Sequence, residues 1–133
     1  MLAAIPSRAI LLVEDEVLEA SDLARILKVG GYSVIGPAGS VAEALVQIMH
    51  QDIDAAVLNT KVGQELTSPV LDVLASAKVP FLLVSSHPKA LIPRRHRNRP
   101  YVGRPCADFD ILERLGEIVP TARDQKPGRP KKT

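Results

Sequence analysis

The stretch Ala9-Ile10-Leu11-Leu12-Val13-Glu14-Asp15-Glu16 decides how this chain is read. Its apolar run has strand length and ends abruptly in acids. A strand without apolar–polar alternation is buried on both faces, which marks a parallel sheet covered by helices on each side. The period then changes. Ala20, Leu23, Ala24 and Leu27 recur at helical spacing, and Gly30-Gly31 supply a stop. Residues 32–35 read as a second strand closed by Gly36-Pro37. Ser40 with Glu43 makes a capping box before a helix whose one face carries Val41, Leu45, Ile48 and Met49. Ala55–Leu58 is a third strand, and Ser68-Pro69 opens a helix with Val70, Val73, Leu74 and Ala77 inward. Residues 81–84 form a fourth strand. Pro88 and Pro93 fence a short helix around 89–92, Tyr101–Gly103 is a fifth strand, and Ile111, Leu115 and Ile118 mark the last helix. Such alternation predicts an α/β domain, a doubly wound five-stranded parallel sheet.

Composition narrows the class. A chain of 133 residues, 46% hydrophobic and 24% charged, suits one domain and leaves too little for a second. Aromatics are 3% and Trp is absent, so the core must be aliphatic. The single Cys106 excludes an internal disulfide and fits a reducing, cytoplasmic setting. No apolar run has spanning length, and residues 1–6 lack a basic leader, so neither a signal peptide nor membrane contact is expected. The net charge of +2 hides an asymmetry: residues 1–72 hold 4 basic and 10 acidic groups, whereas 73–107 hold 7 basic and no acidic ones. The latter block predicts a basic face.

In doubly wound sheets chemistry gathers beyond the C-terminal strand ends. Here those ends are Glu14-Asp15-Glu16, Asn59-Thr60-Lys61, Ser85-Ser86-His87 and Arg104-Pro105. The combination resembles the receiver domain of two-component response regulators, over about residues 8–120. The resemblance implies a flavodoxin-like sheet with strand order 2-1-3-4-5 and a receiver-like domain over 1–120. The polar, basic, Pro/Gly-containing tail over 121–133 is expected to be disordered. It implies that Glu14 and Asp15 occupy the Mg²⁺-holding positions and that Asn59 stands where the phosphoryl-accepting aspartate ends the third strand. Lys61 stands where receivers give the metal a backbone carbonyl. Ser85 matches the hydroxyl that senses the phosphoryl group, and Tyr101 matches the switch aromatic. Arg104 matches the family lysine, and Pro105 follows it through a bond that is usually cis. Ser85, Tyr101 and Pro105 keep the pattern; Asn59 and Arg104 depart from it.

The departures fall on the chemistry. Phosphoryl transfer from phosphohistidine needs a carboxylate nucleophile, and an amide oxygen is uncharged and weakly nucleophilic. Mg²⁺ wants hard oxygens and charge neutralisation, so a site reduced to Glu14 and Asp15 is weakened or lost. No cofactor is then required, and Mg²⁺ would bind weakly at most. An arginine fork does not replace a lysine ammonium, though Arg104 is expected to reach toward Glu14, Asp15 or Asn59. Two readings stand for Lys61: it folds back as a built-in counter-ion helped by Arg104, or it points into solvent as loop lysines commonly do.

The chain therefore reads as a stand-alone receiver-like signalling protein in a two-component phosphorelay, unphosphorylated at the usual site. It is not an enzyme and acts through protein contacts. Expected partners are a sensor histidine kinase or another two-component protein, and a second copy through the face from fourth helix to fifth helix. Ser85 and His87 are too close in sequence to form a nucleophile–base pair, and His50, His87 and His96 lack zinc-ligand spacing. Gly36–Ser40 lacks the Gly-Lys pair of a phosphate loop. Arg94-Arg95-His96-Arg97-Asn98-Arg99 lacks interleaved aromatics, so nucleic-acid contact is not expected there. The alternative is a DNA-associated accessory protein using the Gly128-Arg129-Pro130 tail, which resembles an AT-hook.

Overall fold

A computed structural model describes residues 7–121, so the expectations for the tail from 122 onward lie outside the described residues. The main sheet comprises β1 (Ala9–Val13), β2 (Ser33–Ala38), β3 (Ala55–Leu58), β6 (Phe81–Ser85) and β7 (Tyr101–Gly103). All its pairings are parallel, and its order is β2-β1-β3-β6-β7. Counting those five strands alone, this is the expected 2-1-3-4-5. Between β3 and the next helix, β4 (Lys61–Val62) and β5 (Glu65–Leu66) form a small antiparallel hairpin that the sequence reading did not anticipate.

Alternate residues of each strand feed two aliphatic layers. Leu11, Val13, Ala56, Leu58, Phe81 and Leu83 meet α2 (Val41–His50) and α3 (Ser68–Ser76). Ile10, Leu12, Ala55, Val57, Leu82 and Val84 meet α1 (Val17–Val29) and α4 (Asp108–Ile118). Burial on both faces is what the unbroken apolar runs required.

Several local expectations are corrected. β2 continues through Gly36-Pro37 to Ala38, with its register against β1 broken between Leu11 and Val13. Gly36 makes this possible: its φ is +101°, and a Cβ there would sit 2.8 Å from the Leu12 carbonyl. Ser40 caps α2 by accepting the Glu43 N–H, but the Glu43 carboxylate takes the Ser40 hydroxyl and the Gly39 N–H, so the box is incomplete. Met49 is 78% exposed, because α2 turns Val41 and Ala44 inward. The N-cap position of α3 is Thr67 rather than Ser68, with no side-chain cap bond, and Val73 is exposed. Most consequential, no α-helix lies between β6 and β7. Two 3-10 turns, Lys89–Leu91 and Arg94–His96, carry the chain across. Pro88, Pro93 and Pro100 deny that segment the backbone N–H groups and φ/ψ freedom a helix needs, so the expected fourth-helix face does not exist in that form. No helix among the described residues is long and apolar enough to cross a membrane.

Candidate functional site

The site lies where β1 and β3 end side by side, tied by the Asn59 N–H donating to the Val13 carbonyl at 3.1 Å. Glu14 is only 2% exposed. Its Oε2 accepts the backbone N–H groups of Asp15 and Glu16 at 3.0 and 3.1 Å, and its Oε1 accepts Asn59 Nδ2 at 3.1 Å. Burial pushes the Glu14 carboxyl above its ordinary value of 4.5, while the Glu16 N–H and the Asn59 amide pull it back. The other end of that amide is also used: Asn59 Oδ1 accepts the Thr60 N–H at 2.7 Å. Only this orientation pairs both ends. Reversed, oxygen would face carboxylate and NH₂ would face N–H.

The hairpin adjoins the pocket. Gly63 N–H donates to Asp15 Oδ2 at 2.9 Å, from a backbone with φ +58° that glycine tolerates. Thr67 Oγ1 donates to the Asn59 carbonyl at 2.8 Å, and Thr67 N–H to the Thr60 carbonyl at 3.0 Å, closing the hairpin base. Lys61, on β4, is half-buried and makes no ion pair among the described residues. The counter-ion role expected of it is filled by neutral donors, the Asn59 amide and backbone N–H groups.

β6 brings Ser85 in, fully buried, with its Oγ 3.0 Å from Thr60 Oγ1 and accepting the His87 N–H at 2.9 Å. Ser85 thus reaches the pocket through Thr60. On the far side, Tyr101 OH donates to the carbonyls of His87 at 3.0 Å and Ser85 at 3.3 Å. The Arg104-Pro105 bond is cis, as the resemblance implied.

Arg104 departs from expectation. Its backbone N–H bonds the Ser85 carbonyl at 2.9 Å, but its guanidinium turns to α1, with Nε 3.1 Å from Glu19 Oε2 and Nη2 3.2 Å from Asp22 Oδ2. Glu14 has its acceptors occupied, whereas Glu19 and Asp22 offer charge-assisted pairing. Arg25 continues the network, at 2.7 Å from Asp22 and 3.1 Å from Asp108 on α4. Arg25 first, and Arg104 after it, hold the Asp22 carboxyl below its ordinary value.

A receiver's Mg²⁺ does not fit this arrangement. The amide presents an N–H where a cation would need oxygen, and its oxygen is engaged by Thr60. Among the described residues no three carboxylate, imidazole or thiol groups converge as a ligand set. Sequence reasoning missed Thr60, Gly63 and Thr67. The Val62-Gly63-Gln64-Glu65 turn was the available signal, since glycine between two short extended pairs marks a hairpin.

No family model and no curated protein matches the chain. Solved structures do. SdrG from Sphingomonas melonis Fr1 is 31% identical, with TM-score 0.75 over 84% of this chain and 96% of its own. The response regulator receiver protein from Pseudomonas putida is 17% identical, with TM-score 0.73 over 86% and 99%. The non-phosphorylated HemR receiver domain from Leptospira biflexa is 20% identical, with TM-score 0.73 over 90% and 99%. The latter two share the fold, and SdrG adds sequence identity across nearly its whole length. The family that the strand ends suggested is therefore the one the chain belongs to: the receiver domains of response regulators.

Proposed function

We propose that this receiver is not phosphorylated at the usual position, requires no Mg²⁺, and signals by binding other proteins of a two-component pathway rather than by catalysis. The observation that carries the reading is the Asn59 amide, bonded at one end to buried Glu14 and at the other to the Thr60 N–H. The position is chemically closed. It offers no carboxylate to attack a phosphoryl donor, and its donor side is built into the support of Glu14. A sensor histidine kinase remains a fitting partner, as a protein surface rather than a phosphoryl source. The lone Cys106, unpaired among the described residues, accords with a cytoplasmic site of action.

SdrG has a BeF₃-activated conformation. Beryllofluoride mimics a phosphoryl group by bonding a carboxylate oxygen, so the same probe separates the two behaviours. Acetyl phosphate with Mg²⁺ should leave the intact mass of this chain unchanged, and beryllofluoride should leave its amide NMR spectrum unchanged. A labile phosphoryl adduct on the unsubstituted chain would overturn the reading.

A further inference from the structure

The strap joining β6 to β7 carries Lys89, Arg94, Arg95, Arg97 and Arg99, all exposed, and no acid. It is nonetheless firmly seated. Ile92 is buried in the α2–α3 layer, and the His96 ring, 4% exposed, meets Phe81 edge-on at 5.8 Å. His96 Nε2 lies 2.7 Å from Asp72 Oδ1 on α3, and Arg95 grips the same carboxylate with two bonds of 2.8 Å. Arg95 first, and His96 after it, hold the Asp72 carboxyl well below the usual carboxylate range, so Asp72 stays a carboxylate at physiological pH. Arg97 Nε donates to the Ile92 carbonyl at 2.9 Å, and Arg99 sits 4.9 Å over the Phe81 ring. Asp72 neutralises Arg95. None of the other cations of the strap has an ion pair among the described residues.

We infer that this strap is a docking surface for an acidic segment of a partner protein. Guanidinium groups pair carboxylates in planar, often bidentate geometry. Cations carried on a backbone pinned this way lose less freedom on binding than those of a loose loop. Duplex nucleic acid fits less well. Such binding rests on about 6–10 phosphate contacts, more than the unpaired cations of the strap supply. A single strand would lack a stacking ring, since Tyr101 is half-buried with Lys89 Nζ 5.1 Å above it. The inference rests on the reading that the chain works through protein contacts, and it adds where and with what chemistry.

The test is titration of the isotope-labelled full chain with a decaglutamate peptide, followed by amide shifts. Shifts should concentrate at residues 89–99 and around Asp72, and weaken as salt rises. Lys89→Glu with Arg94→Glu should weaken binding about tenfold or more, and the milder Lys89→Ala with Arg94→Ala by a smaller factor, each with the folded spectrum intact. Reversing Arg129, Lys131 and Lys132 to Glu should change nothing. No shifts, shifts confined to the tail, tighter binding of duplex DNA at the strap, or self-association through the strap without peptide would each overturn the assignment. None of those results would create a phosphoryl adduct, so the proposed function would survive them. Conversely, an adduct on a chain that still binds the peptide would sink that function and leave the surface standing.

Discussion

The strand-end pocket and the β6–β7 strap treat charge in opposite ways. In the pocket, buried Glu14 is satisfied from within, by two backbone N–H groups and an amide, and Asp15 by the Gly63 N–H. At the strap, one carboxylate of α3, Asp72, anchors a run of exposed cations, most of which have no ion pair among the described residues. The difference follows from burial. A charge removed from water must be bonded or neutralised, whereas an exposed guanidinium is solvated and remains available. The strand-end pocket closes with hydrogen bonds among its own groups, and the accessible positive charge lies in the strap.

The sharpest way to break that contrast is Asn59→Asp. It would remove the donor to Glu14 Oε1 and place a second carboxylate at its 3.1 Å position. Without metal the variant should lose about 2–4 kcal/mol of stability in urea unfolding, since a buried charge is left unpaired beside a like charge. Millimolar Mg²⁺ should recover part of that loss. An unchanged stability with no metal response would mean that the amide is not what holds the pocket together.

Asp72→Ala probes the strap in the same terms. His96, whose Nδ1 already has no partner, would then have both ring nitrogens unbonded while buried. The expected cost is about 1–3 kcal/mol, with faster hydrogen exchange confined to the strap and the end of α3. Uniformly faster exchange would show instead that the clamp supports the whole sheet.

The smallest effect concerns pH. Glu14 has its folded-state value raised above its ordinary 4.5, so its contribution to stability is present below that pH and is lost as pH rises through the folded value. The stability of the unsubstituted chain relative to Glu14→Gln, measured in EDTA, should therefore decline from acid toward neutral pH. A difference that grows with pH would show that the amide and N–H groups overcome the cost of burial.

Much of the architecture was legible from residue order. The unbroken apolar runs 9–13, 55–58 and 81–84 demanded a sheet covered on both faces, and helical periodicity supplied the covers, because burial pattern and period are local properties. The acids after β1, Asn59 after β3 and Ser85 at the end of β6 were also placed by order, since a parallel sheet brings successive C-terminal ends to one edge. Local pattern misjudged Met49 and Val73, whose exposure depends on how each helix rotates against its neighbours.

What residue order could not decide was direction. Arg104 is expected from residue order to meet Glu14, Asp15 or Asn59, and only the tertiary structure turns it to Glu19 and Asp22 on α1. Lys61 makes no ion pair among the described residues, and neutral donors hold Glu14 and one oxygen of Asp15. The single acid on α3 and the single buried histidine in the strap are 24 residues apart, and nothing in their spacing announces a clamp. Composition and periodicity determine which groups must be buried and which edge they reach. Which donor meets which acceptor is decided by the tertiary structure, because hydrogen bonds are short and directional and compete for the same few lone pairs.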